Sequence, residues 1–182
     1  MAQPPTIQLK DFCRLFKFQD RQVRFVLERG FVPKGVASHP TTGNRREFGP
    51  SHAFWLAIAL QLKLNGIKTP IAAKIADITT ENLRILTQNH SWDWTFLPMK
   101  GWFETDHQYY LDLGDLRFVR IVTDANPSVD GLHELEWVPV EGRGRIGNHS
   151  PFVIFRVDLT KIAKVLSQVE GWVCPHRHGR TK

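Results

Sequence analysis

The chain changes its hydrophobic period near the middle. From Ile7, the segment IQLKDFCRLF places Leu9, Phe12, Cys13 and Phe16 at helical three-and-four spacing. A second helical pattern follows in FQDRQVRFVLERG, with Asp20 as its N-cap, Val23, Val26 and Leu27 as its apolar stripe and Gly30 as its stop. Two short helices joined by a few residues form a helix-turn-helix candidate. The next stretch, FVPKGVASHPTTGNRREFGPSH, is rich in Gly, Pro, Ser and Thr and reads as a two-strand wing or loop carrying Lys34, Arg45 and Arg46. Helix returns over Ser51–Asn65, with Ser51 as cap and Gly66 as terminator. Thr69 then caps a further helix that Pro70 opens, running through Ile71, Ile75 and Ile78 toward Leu86.

Past Asn89 the period shortens to two, and five of the six Trp lie in this half. The run YYLDLGDLRFVRIVTD predicts two strands around a tight Gly114-Asp115 turn, with Val119 and Ile121 facing inward and Arg120 outward. One strand, LHELEWVPV, is expected within the turn-rich stretch Asp124–Ser150. FVIFRVDL is a clear strand, and Leu159–Val169 is a short closing helix with Ile162, Val165 and Leu166 on one face. The fold class is therefore α+β: a mostly helical N-terminal unit over 6–88, a small β-rich α+β domain over 92–172, and a basic, flexible tail over 173–182.

Composition narrows the functional classes. With 182 residues, 42% hydrophobic and 23% charged, the chain can bury a core and lies outside the disordered regime. No apolar run approaches the roughly 20 residues of a membrane span, and the N-terminal residues lack a secretory pattern. Two cysteines, Cys13 and Cys174, suit a reducing, cytoplasmic setting rather than a disulfide framework. The formal charge of +6 is unevenly spread. Residues 1–89 hold 13 Lys+Arg against 6 Asp+Glu, residues 90–170 hold 8 against 12, and the tail is basic again. The first half thus suits a polyanionic partner.

The N-terminal pattern resembles the DNA-binding domain of MerR-type (mercury-resistance regulator-like) proteins, a winged helix-turn-helix, over about residues 6–80. The family's first-helix order matches Leu9, Phe12, Cys13 and Phe18, with Lys17 where Gly is usual. Its signature T-I-R-Y-Y-E-x-x-G-L-[LI]-x-P is similar to Gln22-Val23-Arg24-Phe25-Val26-Leu27-Glu28-Arg29-Gly30-Phe31-Val32-Pro33, with the acid shifted by one residue. The wing motif Y-R-x-Y corresponds to Arg45-Arg46-Glu47-Phe48, and L-G-[FM]-[ST]-L-x-x-I to Asn65-Gly66-Ile67-Lys68-Thr69-Pro70-Ile71-Ala72. The long dimerising helix of that family has no counterpart after Leu86, where NHSWDWTF interrupts the pattern.

The resemblance implies a recognition helix around 20–29 in the major groove of double-stranded DNA and a wing around 40–48 on the backbone or minor groove. The candidate DNA-binding residues are Arg21, Gln22, Arg24, Phe25, Arg29, Lys34, Arg45, Arg46 and Lys68. Gln suits adenine and Arg guanine or phosphate. Arg24 has an alternative role in a salt bridge to Glu28, and Phe25 and Phe48 in packing at the helix–wing junction. No catalytic set, cofactor or metal site is expected. Cys174, His176 and His178 lack a second ligand cluster. Asp112 and Asp115 read as turn-formers. His107, His133 and His149 have no nucleophile beside them. The loop Gly142–Gly147, with Arg143 and Arg145, lacks the helix a phosphate loop needs.

The expectation is a non-enzymatic, sequence-specific DNA-binding protein of the transcription-regulator type, forming homo-oligomers through its C-terminal domain, with no membrane partner and no effector specified by the sequence. The alternatives are a phage or mobile-element binder of the excisionase or packaging-adaptor kind, a DNA-processing enzyme anchored by the winged module, and a protein-interaction adaptor.

Overall fold

The computed structural model is described over residues 5–29, 31–33, 36, 46–88, 108–123, 136–142 and 150–172. The chain enters through a two-residue strand, β1 (Ile7–Gln8), and turns directly into α1 (Leu9–Phe16), which the 9, 12, 13, 16 spacing anticipates. Lys17 ends α1 in the left-handed region (φ 57°), and Phe18 N–H closes back onto the Cys13 carbonyl at 3.0 Å. This is the conformation that glycine adopts without steric cost, and a lysine holds it here. After a turn of three residues, Lys17–Gln19, comes α2 (Asp20–Glu28). Its N-cap is Gln19 rather than Asp20: Gln19 N–H donates to the Gln22 side-chain oxygen at 3.2 Å, so Asp20 becomes the first helical residue, where its charge favours the helix dipole.

A second two-residue strand, β2 (Glu47–Phe48), pairs antiparallel with β1, and Thr6 Oγ1 donates to Glu47 Oε2 at 2.8 Å across that ladder. No periodicity signals strands this short, and nothing in the sequence marks β1. Next is α3 (Pro50–Leu64). It starts one residue before the expected Ser51, because Pro50 takes the first helical position, where its missing N–H costs nothing, and Gly49 is the cap. Gly66, with φ 88°, terminates the turn that follows, and α4 (Thr69–Gln88) opens at the expected Thr69-Pro70.

In the second half, β3 (Tyr109–Gly114) and β4 (Phe118–Thr123) form the expected hairpin. The turn is wider than the sequence suggests. Gly114 pairs with Phe118, and Asp115–Arg117 make the loop, with Asp115 and Leu116 at positive φ of 49° and 57°. Gly114 serves close packing instead: a Cβ there would lie 2.9 Å from Pro151 and 3.0 Å from Trp137. A two-residue β5 (Val138–Pro139) pairs with β4, and β6 (Ile154–Asp158) pairs with β3, giving an antiparallel sheet of order β5-β4-β3-β6. Of the anticipated strand LHELEWVPV, 132–135 lie outside the described residues, and Val138–Pro139 is strand as expected. Finally α5 (Leu159–Leu166) is capped by Asp158, whose Oδ1 accepts from Lys161 N–H at 2.7 Å. The expected closing helix to Val169 stops three residues earlier, and turns follow it.

These elements share one buried cluster. α3 is apolar on nearly every side and contacts α2, α4, α5, β2 and β6. On one flank Phe12, Phe16, Phe18 and Phe48 form a tilted and stacked aromatic group, centroids 5.0–6.2 Å apart. On the other, Leu111, Leu113, Val119, Ile121 and Val157 line the helix-facing side of the sheet. Fully burying each such large side chain stabilises the fold by about 1.5–3 kcal/mol. Tyr109 N–H donates to the Thr160 hydroxyl at 2.7 Å, and Trp172 Nε1 donates to the Pro5 carbonyl at 2.6 Å, fastening the far ends of the described chain together. The architecture is α+β: among the described residues, five helices and two antiparallel sheets. No helix among them is long and apolar enough to cross a membrane.

Candidate nucleic-acid interface

The amphipathic pattern of α2 decides what it presents. Val23, Val26 and Leu27 are buried against the core, so Asp20, Arg21, Arg24, Phe25, Glu28 and Arg29 form the outward stripe. Arg24 does not bridge to Glu28. Its Nε donates to Asp20 Oδ2, one turn back, at 2.6 Å, and that bond raises its pKa. Beneath the pair lies Cys13, whose thiol is pushed up by burial and by Asp20, with Arg24 opposing.

Phe25 remains 39% exposed, and two cations approach its ring: the Arg29 guanidinium and the Lys63 ammonium, each 4.3 Å from the centroid. Such contacts at exposed sites contribute about 0.5–1 kcal/mol each. They hold two cations in defined positions beside an apolar surface. Phe48, by contrast, is fully buried, the packing role expected as its alternative. Arg46 is half-buried, and burial lowers its pKa, with Glu28 opposing and Arg24 adding to the fall. Arg46 thus lies within electrostatic reach of Glu28 and Arg24 on the outward stripe of α2.

Of the nine residues expected to contact DNA, the structure groups Arg24, Phe25, Arg29 and Arg46 on or beside α2, with Arg21 exposed in its first turn. Gln22 is half-buried, and its side-chain oxygen serves the helix cap. Lys68 is exposed in the α3–α4 connection and takes no part in these contacts. Lys34 and Arg45 lie outside the described residues. Sequence reasoning missed Lys63, 38 positions from Phe25. The only trace of it was a cation in the last turn of an apolar helix.

A second charged arrangement lies in the sheet. Asp112, expected to be a turn-former, is a fully buried carboxylate in β3. Arg120 of β4 and Arg156 of β6 stand directly opposite it on either side. Arg156 holds it with both arms of its fork, Nε to Oδ1 at 2.6 Å and a terminal nitrogen to Oδ2 at 2.9 Å, while Arg120 Nε is 3.6 Å from Oδ2. Each guanidinium also lies over an aromatic ring, Arg120 over Trp137 at 4.5 Å and Arg156 over Tyr110 at 4.9 Å. The bond to Asp112 raises the Arg156 pKa. With every oxygen of the carboxylate engaged by a guanidinium, this row fastens three strands together. Asp115 is the turn residue expected, and its Oδ1 also accepts from Phe152 and Val153 N–H at 3.1 and 3.0 Å.

No group of three or more His, Cys, Asp or Glu among the described residues could hold a metal ion. Cys174, His176, His178, His107, His133, His149, Arg143 and Arg145 all lie outside those residues. Neither a family model, nor a curated protein, nor a solved structure matches the chain.

Proposed function

We propose that the chain is a non-enzymatic, sequence-specific double-stranded-DNA-binding protein of the transcription-regulator type. In this reading α1 and α2 act as a MerR-like helix-turn-helix, with α2 in the major groove and the segment around 40–48 as a wing on the backbone or minor groove. The observation that carries the reading is the outward stripe of α2. Arg21, Arg24 and Arg29, joined by Lys63 and Arg46, put five cations around one short, firmly anchored helix, against the two acids Asp20 and Glu28.

A helix of this width fits the major groove. Its guanidinium groups supply paired donors that phosphate and guanine edges accept. Phe25 gives an apolar contact of the kind a thymine methyl makes. Asp20 holds Arg24 in the free protein, so the encounter with DNA exchanges one exposed carboxylate partner for a phosphate. The aqueous pair is worth only about 0.3–0.5 kcal/mol, a small barrier to that exchange.

Fluorescence anisotropy of the full chain against mixed-sequence duplexes at low salt, followed by selection of preferred sequences, tests the proposal. Binding is expected, and Arg24→Ala and Arg46→Ala should each weaken it by about 5- to 100-fold. Absence of binding at low salt contradicts the reading, and Mg²⁺-dependent cleavage of the duplex replaces it with a DNA-processing one.

A further inference from the structure

Among the described residues β6 is the outermost strand of its sheet, and its register fixes which backbone groups point away from β3. Asp115 N–H donates to the Val153 carbonyl at 2.9 Å, so residues 115 and 153 form a hydrogen-bonding pair. Antiparallel ladders alternate every second residue, which turns Phe155 and Val157 toward β3 as well. Ile154 and Arg156 therefore direct their N–H and C=O groups outward. Natural edges are blunted by Lys, Pro or bulges. This edge instead carries Phe152, wholly exposed, Val153 at 66% and Ile154 at 46%. Its one cation, Arg156, is held by Asp112, a carboxylate it shares with Arg120.

We propose that a second copy of this chain completes the edge, β6 pairing antiparallel with its counterpart about a two-fold axis at Phe155. Ahead of Asp158, which caps α5, the outward-facing residues of the strand are Ile154 and Arg156, spaced symmetrically about that point, so the register matches each of their outward donors with an outward acceptor. Ile154 exchanges both backbone hydrogen bonds with the partner's Arg156, and Arg156 does so with the partner's Ile154, making four bonds between the copies.

Side chains agree with the register. Phe155 meets the partner's Phe155 in a non-hydrogen-bonded pair, where strands approach most closely. Val153 lies beside the partner's Val157 on the same face. Arg156 stands opposite the partner's Ile154, so no like charges face each other directly. The product is one continuous eight-stranded sheet with an isologous interface. The assignment does not depend on the DNA-binding proposal.

Sedimentation velocity of the full chain over micromolar concentrations tests it, with a reversible dimer expected. Ile154→Pro removes an N–H that no described residue accepts, so the strand keeps its place at the edge. Its dissociation constant should rise by about 30-fold or more, since two of the four bonds are lost. Ile154→Lys, which alters no backbone group, should weaken the dimer by charge and decides the matter if the proline variant fails to fold. Leu116→Asn removes an exposed apolar side chain from the hairpin loop, at a backbone conformation Asn accepts, and should leave the dimer intact. A monomeric wild type overturns the proposal. So does a dimer indifferent to both Ile154 variants, or one that Leu116→Asn dissociates as strongly.

Discussion

Removing the more exposed partner of the Asp112–Arg156 pair should cost more stability than removing the buried one. Asp112 has no solvent exposure, whereas the side chains of Arg156 and Arg120 are 49% and 24% exposed. In Arg156→Leu the carboxylate stays in place and loses two charge-assisted bonds, of 2.6 and 2.9 Å, retaining Arg120 with Nε at 3.6 Å. Breaking a buried pair from one side costs about 3–5 kcal/mol, and the remaining guanidinium places this case near the lower end, about 3 kcal/mol. In Asp112→Leu the half-exposed Arg156 turns its head to water and Arg120 loses only an ion contact of 3.6 Å, so the loss is chiefly the fork itself, about 1.5 kcal/mol. For a chain of this size each kcal/mol moves Tm by about 2–4 °C, which separates the variants into falls of about 6–12 °C and about 3–6 °C. The double variant should lie close to Asp112→Leu alone, since no buried charge is left without its fork. Thermal and urea denaturation at one fixed protein concentration, with unchanged urea slope, reads these differences. An inverted order, or a loss below about 0.5 kcal/mol for Arg156→Leu, refutes the reasoning.

Three further outcomes are expected. Lys17→Gly should stabilise the chain by about 0.5–1 kcal/mol by relieving the left-handed residue between α1 and α2, while Lys17→Ala should change nothing; equal melting of all three proteins would show that the turn stores no strain. Asp77 receives the Trp55 indole N–H at 2.7 Å, and its burial raises its pKa above the unfolded value, the indole bond opposing. Its contribution to stability is therefore full at low pH and lost as pH rises through the folded pKa, so Asp77→Asn, which keeps an acceptor for Trp55, should flatten that part of the urea-midpoint profile; identical pH profiles would refute this. Asp20→Asn frees Arg24 and removes an acid from the outward stripe of α2, so duplex affinity at low salt should rise severalfold while stability falls by less than about 1 kcal/mol; unchanged or weaker binding would contradict the place given to α2.

The helical half was legible because its signals are local. Gly66 and Thr69-Pro70 punctuate α3 and α4 through backbone chemistry that acts within a residue or two, and the 9, 12, 13, 16 spacing declares α1 directly, whereas the expected start of α3, Ser51, lies one residue past Pro50. What the sequence concealed is held together over long separations. Asp112 in LDLGD has the composition of a turn, and only the strand register sets Arg120 and, 44 residues away, Arg156 on either side of it. The β1–β2 ladder joins residues about 40 positions apart through two pairs, too few for any periodicity. Within the candidate interface the outward face of α2 followed from its apolar stripe. The partners that fix its side chains did not: Asp20 in place of Glu28 for Arg24, and Lys63 for Phe25, are choices of tertiary geometry.

The central claim is that the outward cations of α2 meet DNA phosphates and base edges, and the salt dependence of duplex binding tests it most directly. Each phosphate neutralised contributes about 0.9 to the slope of log K against log salt concentration. Comparison of the wild type with a variant carrying Arg21→Gln, Arg24→Gln and Arg29→Gln should show weaker binding at every salt concentration and a slope shallower by about 2 to 3, according to how many of the three touch phosphate rather than bases. Equal slopes and equal affinities for the two proteins would contradict the account.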